Sequence, residues 1–220
     1  MRLKTPITQE KLKHHWTYNG WKYLVALVAT VLGWSLIYSV TAYRPPEEKR
    51  IDVYVLSDTT DAETVDAFLL PLWRAAAPEM ELVSSAVIAS YGDLTDVQLT
   101  AYLMTGEADI YFLTEQYFKN WAAGGAFLPL EELAAAGKLD VQGLDLQAGY
   151  VTRVTEYDRQ DRPVSTESHL YGIPLDGFEG FRTGMGVEPK GMYAVIAVNH
   201  QNDEQVIPFF SALLQAGRGE

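Results

Sequence analysis

A mixed, mostly parallel α/β sheet with flanking helices, preceded by one transmembrane helix, is the fold class the sequence predicts. Two patterns carry that expectation. Twenty-one consecutive uncharged residues separate Lys22 from Arg44; at about 1.5 Å per residue a helix of that length reaches about 30 Å, the hydrocarbon thickness of a bilayer. Beyond it, short β-branched segments alternate with helix-length amphipathic ones, which argues strands joined by right-handed crossovers.

These patterns divide the chain into a basic segment at 1–23, a membrane helix at 24–43, a stalk at 44–50 and a globular domain at 51–220. Trp16, Tyr18, Trp21 and Tyr23 crowd one end of the apolar run and Tyr38 and Tyr43 stand near the other, as aromatic belts do at headgroup level. Arg2, Lys4, Lys11, Lys13 and Lys22 precede the run, whereas Arg44, Lys49 and Arg50 come closely after it. That bias puts the N-terminus in the cytoplasm and the domain outside a cell membrane crossed once. The rival is a cleavable signal peptide ending at Val40-Thr41-Ala42, although an h-region is usually only about 7–15 residues long. Both readings export 44–220. Arg44-Pro45-Pro46-Glu47-Glu48-Lys49-Arg50 reads as a stiff, charged stalk.

Within the domain, Ile51–Leu56 alternates as a first strand, and Ser57-Asp58-Thr59-Thr60-Asp61 supplies side chains able to cap the next helix. Ala62–Ala77 has Val65, Phe68, Leu69, Leu72 and Trp73 on one helical face; Pro71 should kink or split it. Glu79–Ile88 reads as a second strand. Asp93–Thr105 is a helix with Leu94, Val97, Leu99 and Leu103 apolar, closed by Gly106. Ala108–Leu113 is a short strand apolar on both faces. Thr114–Ala123 is a helix stopped by Gly124-Gly125, and Leu130–Ala136 a shorter one. Tyr150–Tyr157 and His169–Ile173 read as two strands of a hairpin around the turn 158–163. The stretch 177–191 is glycine-rich and irregular. Gly191–Val198 is the most strand-like segment, and 199–203 caps a final helix carrying Val206, Phe209, Phe210, Leu213 and Leu214.

Composition excludes several functions. Residues 44–220 hold 28 of the 29 acidic and 12 of the 17 basic residues, a net charge of −16, which repels nucleic acid and anionic headgroups. There is no cysteine, hence no disulfide, thiolate metal site or lipid-modified cysteine. Four histidines occur, His14, His15, His169 and His200, without the spacing of a zinc site. Asp158, Asp161 and Glu167 surround a turn where charges are ordinarily solvated. Gly180–Gly186 lacks the Gly-Lys-Ser/Thr ending of a phosphate loop, and no nucleophile elbow is present. No enzyme activity, metal or cofactor is expected.

The stretch Gly106-Glu-Ala-Asp-Ile-Tyr-Phe-Leu113 continuing through Gly124-Gly-Ala-Phe-Leu-Pro-Leu130 resembles the G-x-x-D, apolar strand, helix, G-x-apolar-x-x-L region of extracellular solute-binding proteins of bacterial ABC importers, the sugar-type group. His169-Leu-Tyr-Gly-Ile-Pro-Leu175 is similar to that family's Y-G-(I/V)-P strand, and Tyr193–Leu214 to its return strand and subsequent helix. The resemblance covers roughly 51–215. It implies a single lobe of a type II periplasmic-binding-protein-like fold, with a return strand beside the N-terminal βα units. The second lobe, well over 100 residues in the family, is replaced by about 17 between Asp176 and Met192.

Ligands of an open α/β sheet sit beyond the strands' carboxyl ends, which here carry Ser57, Asp58 and Thr59, then Tyr91, then Thr114 and Glu115. The resemblance implies that these loops contact sugar hydroxyls; the alternative is that Asp58, Thr59 and Thr114 only cap helices. Tyr91 is a stacking platform or a turn residue. Asp109 opens a buried strand and reads as structural. Two functions are consistent with these residues. One is an accessory of ABC-type carbohydrate uptake, partnered by the bilayer through 24–43, by a sugar or oligosaccharide, and by an importer permease or a complete solute-binding protein. The other is a structural or sensory membrane module that binds a partner protein.

Overall fold

The computed structural model describes residues 9–41, 43, 45–90, 92–160, 162–198 and 203–219, in two compact units that meet at 44/45. The first unit is one helix, α1 (Gln9–Thr41), which starts well before the span expected at 24–43. Its segment Asn19–Thr41 is long and apolar enough to cross a membrane, and none of it is buried within the protein. The hydroxyls of Thr30 and Thr41 donate to the carbonyls of Ala26 and Ile37, at 2.8 and 2.7 Å. No polar hydrogen of these threonines then faces an apolar surround unpaired.

The second unit is a five-stranded sheet in the order β2-β1-β3-β7-β6. β1 (Arg50–Leu56) runs parallel to β2 (Leu82–Ile88) on one side and β3 (Ile110–Thr114) on the other. β7 (Met192–Ile196) returns antiparallel between β3 and the two-residue β6 (Ile173–Pro174). The expected return strand is therefore in its expected place. Between them come α2 (Ala62–Ala76), α3 (Asp93–Thr105), α4 (Glu115–Ala123), α5 (Glu131–Ala135) and the hairpin of β4 (Tyr150–Tyr157) and β5 (Pro163–Leu170); α6 (Asp203–Arg218) ends the chain.

Alternation along the strands feeds two cores. Ile51, Val53, Val55, Ile110, Phe112, Ala194 and Ile196 point to one face, where α2 and α6 supply Val65, Leu69, Phe209 and Leu213. Tyr111, Leu113, Tyr193 and Val195 point to the other, against Leu99 of α3 and Phe118 and Ala122 of α4. The result is a helix–sheet–helix sandwich. Polar stitches join β1 to both of its neighbours: the Asp109 carboxylate accepts from the Asp52 amide at 2.9 Å, and Ser84 Oγ donates to Asp52 Oδ1 at 2.5 Å. Asp109 is buried, in the structural role expected of it.

The irregular stretch 177–191 turns out to be an apolar plug. One π-turn, Phe181–Met185, drives Phe178, Phe181, Met185 and Val187 into the first core. Phe181 meets Phe112 edge-on at 5.1 Å and stacks on Phe178 at 5.7 Å. Two glycines let α6 close over it. A Cβ on Gly217 would lie 2.3 Å from the Phe181 ring, and one on Gly180 would lie 2.3 Å from the Ala216 carbonyl oxygen.

Several expectations need correction. The stalk is shorter than 44–50, because Glu47–Lys49 form a 3-10 turn and Arg50 already pairs in β1. The second strand starts at Leu82 rather than Glu79, Pro78 having broken the approach. The hairpin's second strand is 163–170 rather than 169–173; its residues are largely exposed, so no apolar alternation marks it. Leu94 and Val97 do not join Leu99 in the core but stand on the outer face of α3. Pro71 neither splits nor ends α2. Both Pro71 and Ala67, whose carbonyl loses its donor, are exposed, and water can take the vacant acceptor.

Pro71→Ala should therefore restore one helical hydrogen bond with no new contact. An interior proline costs about 3 kcal/mol relative to alanine, and the looser unfolded chain returns about 0.4–1 kcal/mol of that. We expect the variant to be about 2 kcal/mol more stable by urea denaturation.

A polar cluster helps fasten the hairpin to the lobe. Glu131, at the start of α5, accepts from His169 Nδ1 at 2.6 Å and from the Leu170 amide at 3.1 Å; Glu167 lies 3.5 Å from Nε2. The hydrogen bond to Glu131 is the main cause holding the His169 pKa above its ordinary value. The folded state thus binds the His169 proton more tightly than the unfolded chain does. Its stabilisation is complete below the unfolded value of about 6.5 and disappears as pH rises through the raised folded value. The stability gap between wild type and His169→Gln, read as urea midpoints across this range, should be widest at the acid end and close at the alkaline end.

Candidate functional site

The carboxyl ends of β1, β2 and β3 lie at one edge of the sheet, and the loops there do converge. Ser57 leaves β1 with its amide donating to the Ile88 carbonyl at 3.0 Å. Asp58 reaches across to β2, where Oδ1 accepts from the Ser90 amide at 2.7 Å. Thr59 Oγ1 donates to the Gly186 carbonyl at 2.7 Å and Thr60 Oγ1 to the Met185 carbonyl at 2.5 Å. Ser57 Oγ completes the set, accepting from the Thr59 amide at 3.2 Å. These residues tie the β2–α3 loop and the aromatic plug to the tip of β1. Capping of α2 falls instead to Asp61, which accepts from the Thr64 amide at 2.9 Å. Tyr91, Asp161 and His200 lie outside the described residues.

On the β3 side, Thr114 occupies the N-cap position of α4 without a side-chain bond to the helix. Glu115 pairs with Lys119 one turn on, and this hydrogen bond raises the Lys119 pKa. Tyr193, facing α4 from β7, stacks on Phe118 at 4.4 Å. Burial, then the Glu115 charge, pushes its phenol up. Around Ser57–Thr59 the polar groups bond to neighbouring loops while Asp58 and Thr59 stay exposed; at the head of α4 Thr114 is half-buried, and the paired Glu115 and Lys119 are exposed. Among the described residues no group of three or more His, Asp or Glu could hold a metal ion.

Sequence reasoning missed a second place. Asp96 and Thr100 of α3 face Gln116, Tyr117, Asn120 and Trp121 of α4 across a groove of about 390 Å³. The Tyr117 hydroxyl donates to Asp96, which is the first cause of its raised pKa. The available signal was positional: 96/100, 116/120 and 117/121 are each i, i+4 pairs, which share a helix face. Amides, a carboxylate and two rings could contact a polar ligand with apolar faces. A larger depression of about 650 Å³ on the outer side of α6 is lined by Lys138, Glu204, Pro208 and Gln215. It belongs to the opposite end of the sheet, because β7 runs antiparallel and delivers α6 there.

No protein-family model and no curated protein sequence matches the chain. Solved structures do resemble it. An extracellular solute-binding protein of family 1 from Alicyclobacillus acidocaldarius is 18% identical over 60% of this chain and 29% of its own, with a TM-score of 0.40. The ABC substrate-binding protein Lmo0181 of Listeria monocytogenes, solved with cycloalternan, is 16% identical over 57% of this chain and 28% of its own, TM-score 0.34. The binding protein AttC of Agrobacterium tumefaciens, in an open unliganded form, is 17% identical over 46% and 29%, TM-score 0.30. In each case this chain spans less than a third of the length of the protein it resembles.

Proposed function

We propose that the chain is a membrane-anchored, solute-binding-like protein of the bacterial cell surface, accessory to ABC-type carbohydrate uptake. Residues 24–43 lie in the bilayer, the N-terminus is cytoplasmic and the α/β lobe faces outward. The lobe binds a sugar or oligosaccharide weakly, or docks an importer permease or a complete solute-binding protein. What supports this reading is an apolar helix followed by an α/β lobe with an antiparallel return strand, reached through 17 residues, 176–192, where the family it resembles has a second lobe. A two-lobed clamp buries most of its ligand; one lobe offers half of that surface, which favours shallow binding completed by another protein.

A second reading, a structural or sensory module that binds a protein, is supported by the bonding at Ser57, Asp58 and Thr59. Their polar groups already bond to other residues of the lobe at its surface, which leaves less for a solute.

Full-length protein in detergent should gain thermal stability from at least one member of a maltooligosaccharide panel. The gain is about 2.7 kcal/mol at a hundredfold excess over Kd, and Glu115→Ala should reduce it. No shift across the panel, together with no importer subunit co-purifying, would sink the first reading. A specific cytoplasmic partner retained by peptide 1–23 would favour the second. The absence of cysteine makes the orientation directly measurable: in spheroplasts a membrane-impermeant maleimide should label Glu79→Cys at once and Lys13→Cys only after lysis.

A further inference from the structure

α3 buries one side and leaves a row of apolar residues exposed on another. Its inner side sends Leu99 and Thr95 into the core. Its outer side presents Leu94, Val97 and Met104, exposed by 75%, 69% and 78%, with exposed Ala101 between them. The spacing 94, 97, 101, 104 is the alternating three–four step of a coiled-coil seam, about 15 Å long. Contiguous exposed apolar patches mark contact surfaces. The α3–α4 groove, with Tyr117 and Trp121, borders the same layer, adding the aromatic residues that interface cores favour.

Charge decides what fits there. α3 itself, Asp93–Thr105, holds two Asp and not one Lys or Arg. Asp96 stands exposed next to Val97, and Glu107 is exposed just past the helix. A second copy laid against this seam would bring acid to acid, which disfavours self-pairing. An apolar helix bordered by lysine or arginine would satisfy both seam and flanks. We infer that α3 docks a basic amphipathic helix of a partner protein through Leu94, Val97, Ala101 and Met104, with Asp96 pairing a flanking cation. This holds whether or not the carboxyl edge takes a solute.

The test uses the full chain in phosphatidylcholine nanodiscs, with empty discs as blank. The probes are two labelled three-heptad helical peptides with leucine at a and d, one bearing lysine and the other glutamate at e and g. The lysine peptide should bind about tenfold or more tightly than the glutamate peptide, and Val97→Ser with Met104→Ser should weaken it about tenfold. Asp96→Asn should narrow the preference, whereas Val164→Ser, exposed on the hairpin, should change nothing. Equal binding of both peptides, no binding, or a double variant that binds like wild type would overturn the inference. So would sedimentation in detergent showing a dimer that the double variant dissociates, since a second copy would then cover the seam.

Discussion

The lobe depends on β7. All five of its residues, Met192–Ile196, are buried, and it pairs with β3 along its length and with β6 at its start. Ala194 and Ile196 seal one core while Tyr193 and Val195 seal the other. Without it, β3 is an open edge and both helical layers lose the strand they share. Nothing nearer in sequence can do this, because crossover connections make the other central contacts parallel. The chain must leave the sheet at β3, travel through the hairpin, and come back.

The journey back explains the odd middle of the molecule. The plug at 177–191 carries Phe178, Phe181 and Met185 into the first core. The segment is short but structural. It gives β6 and β7 their closure, lies under α6 and receives the hydroxyls of Thr59 and Thr60. At the α4 end of the edge Thr114, Glu115 and Lys119 are half-buried or exposed, and the α3–α4 groove lies on that same side.

Much of the fold is legible in the sequence. β1, α3, β3 and α4 fall where period and glycine stops put them, because burial on both faces leaves unbroken apolar runs and Gly106 in the left-handed conformation ends a helix visibly. β5 escapes such a reading because a strand exposed on both sides, Val164-Ser-Thr-Glu-Ser168, has no alternation to detect. The outward seam of α3 escapes it for a related reason: Leu94, Val97 and Leu99 look alike in sequence, and only packing tells which side meets the sheet. The role of Asp58 is also out of reach. A loop aspartate facing an amide in the next loop looks the same as one facing a ligand until the partner is seen.

The return of β7 also governs when the protein can become itself. β1, β2 and β3 are complete by residue 114, but their closing strand is made about eighty residues later. A chain emerging from its N-terminus holds a three-stranded, unsealed sheet while those eighty residues are made. Contacts so distant in sequence form slowly, and an unpaired strand edge is an adhesive surface while it waits. Folding quality is therefore set by what shields β3 during that interval, and by how quickly the hairpin and the short plug bring residues 192–196 home.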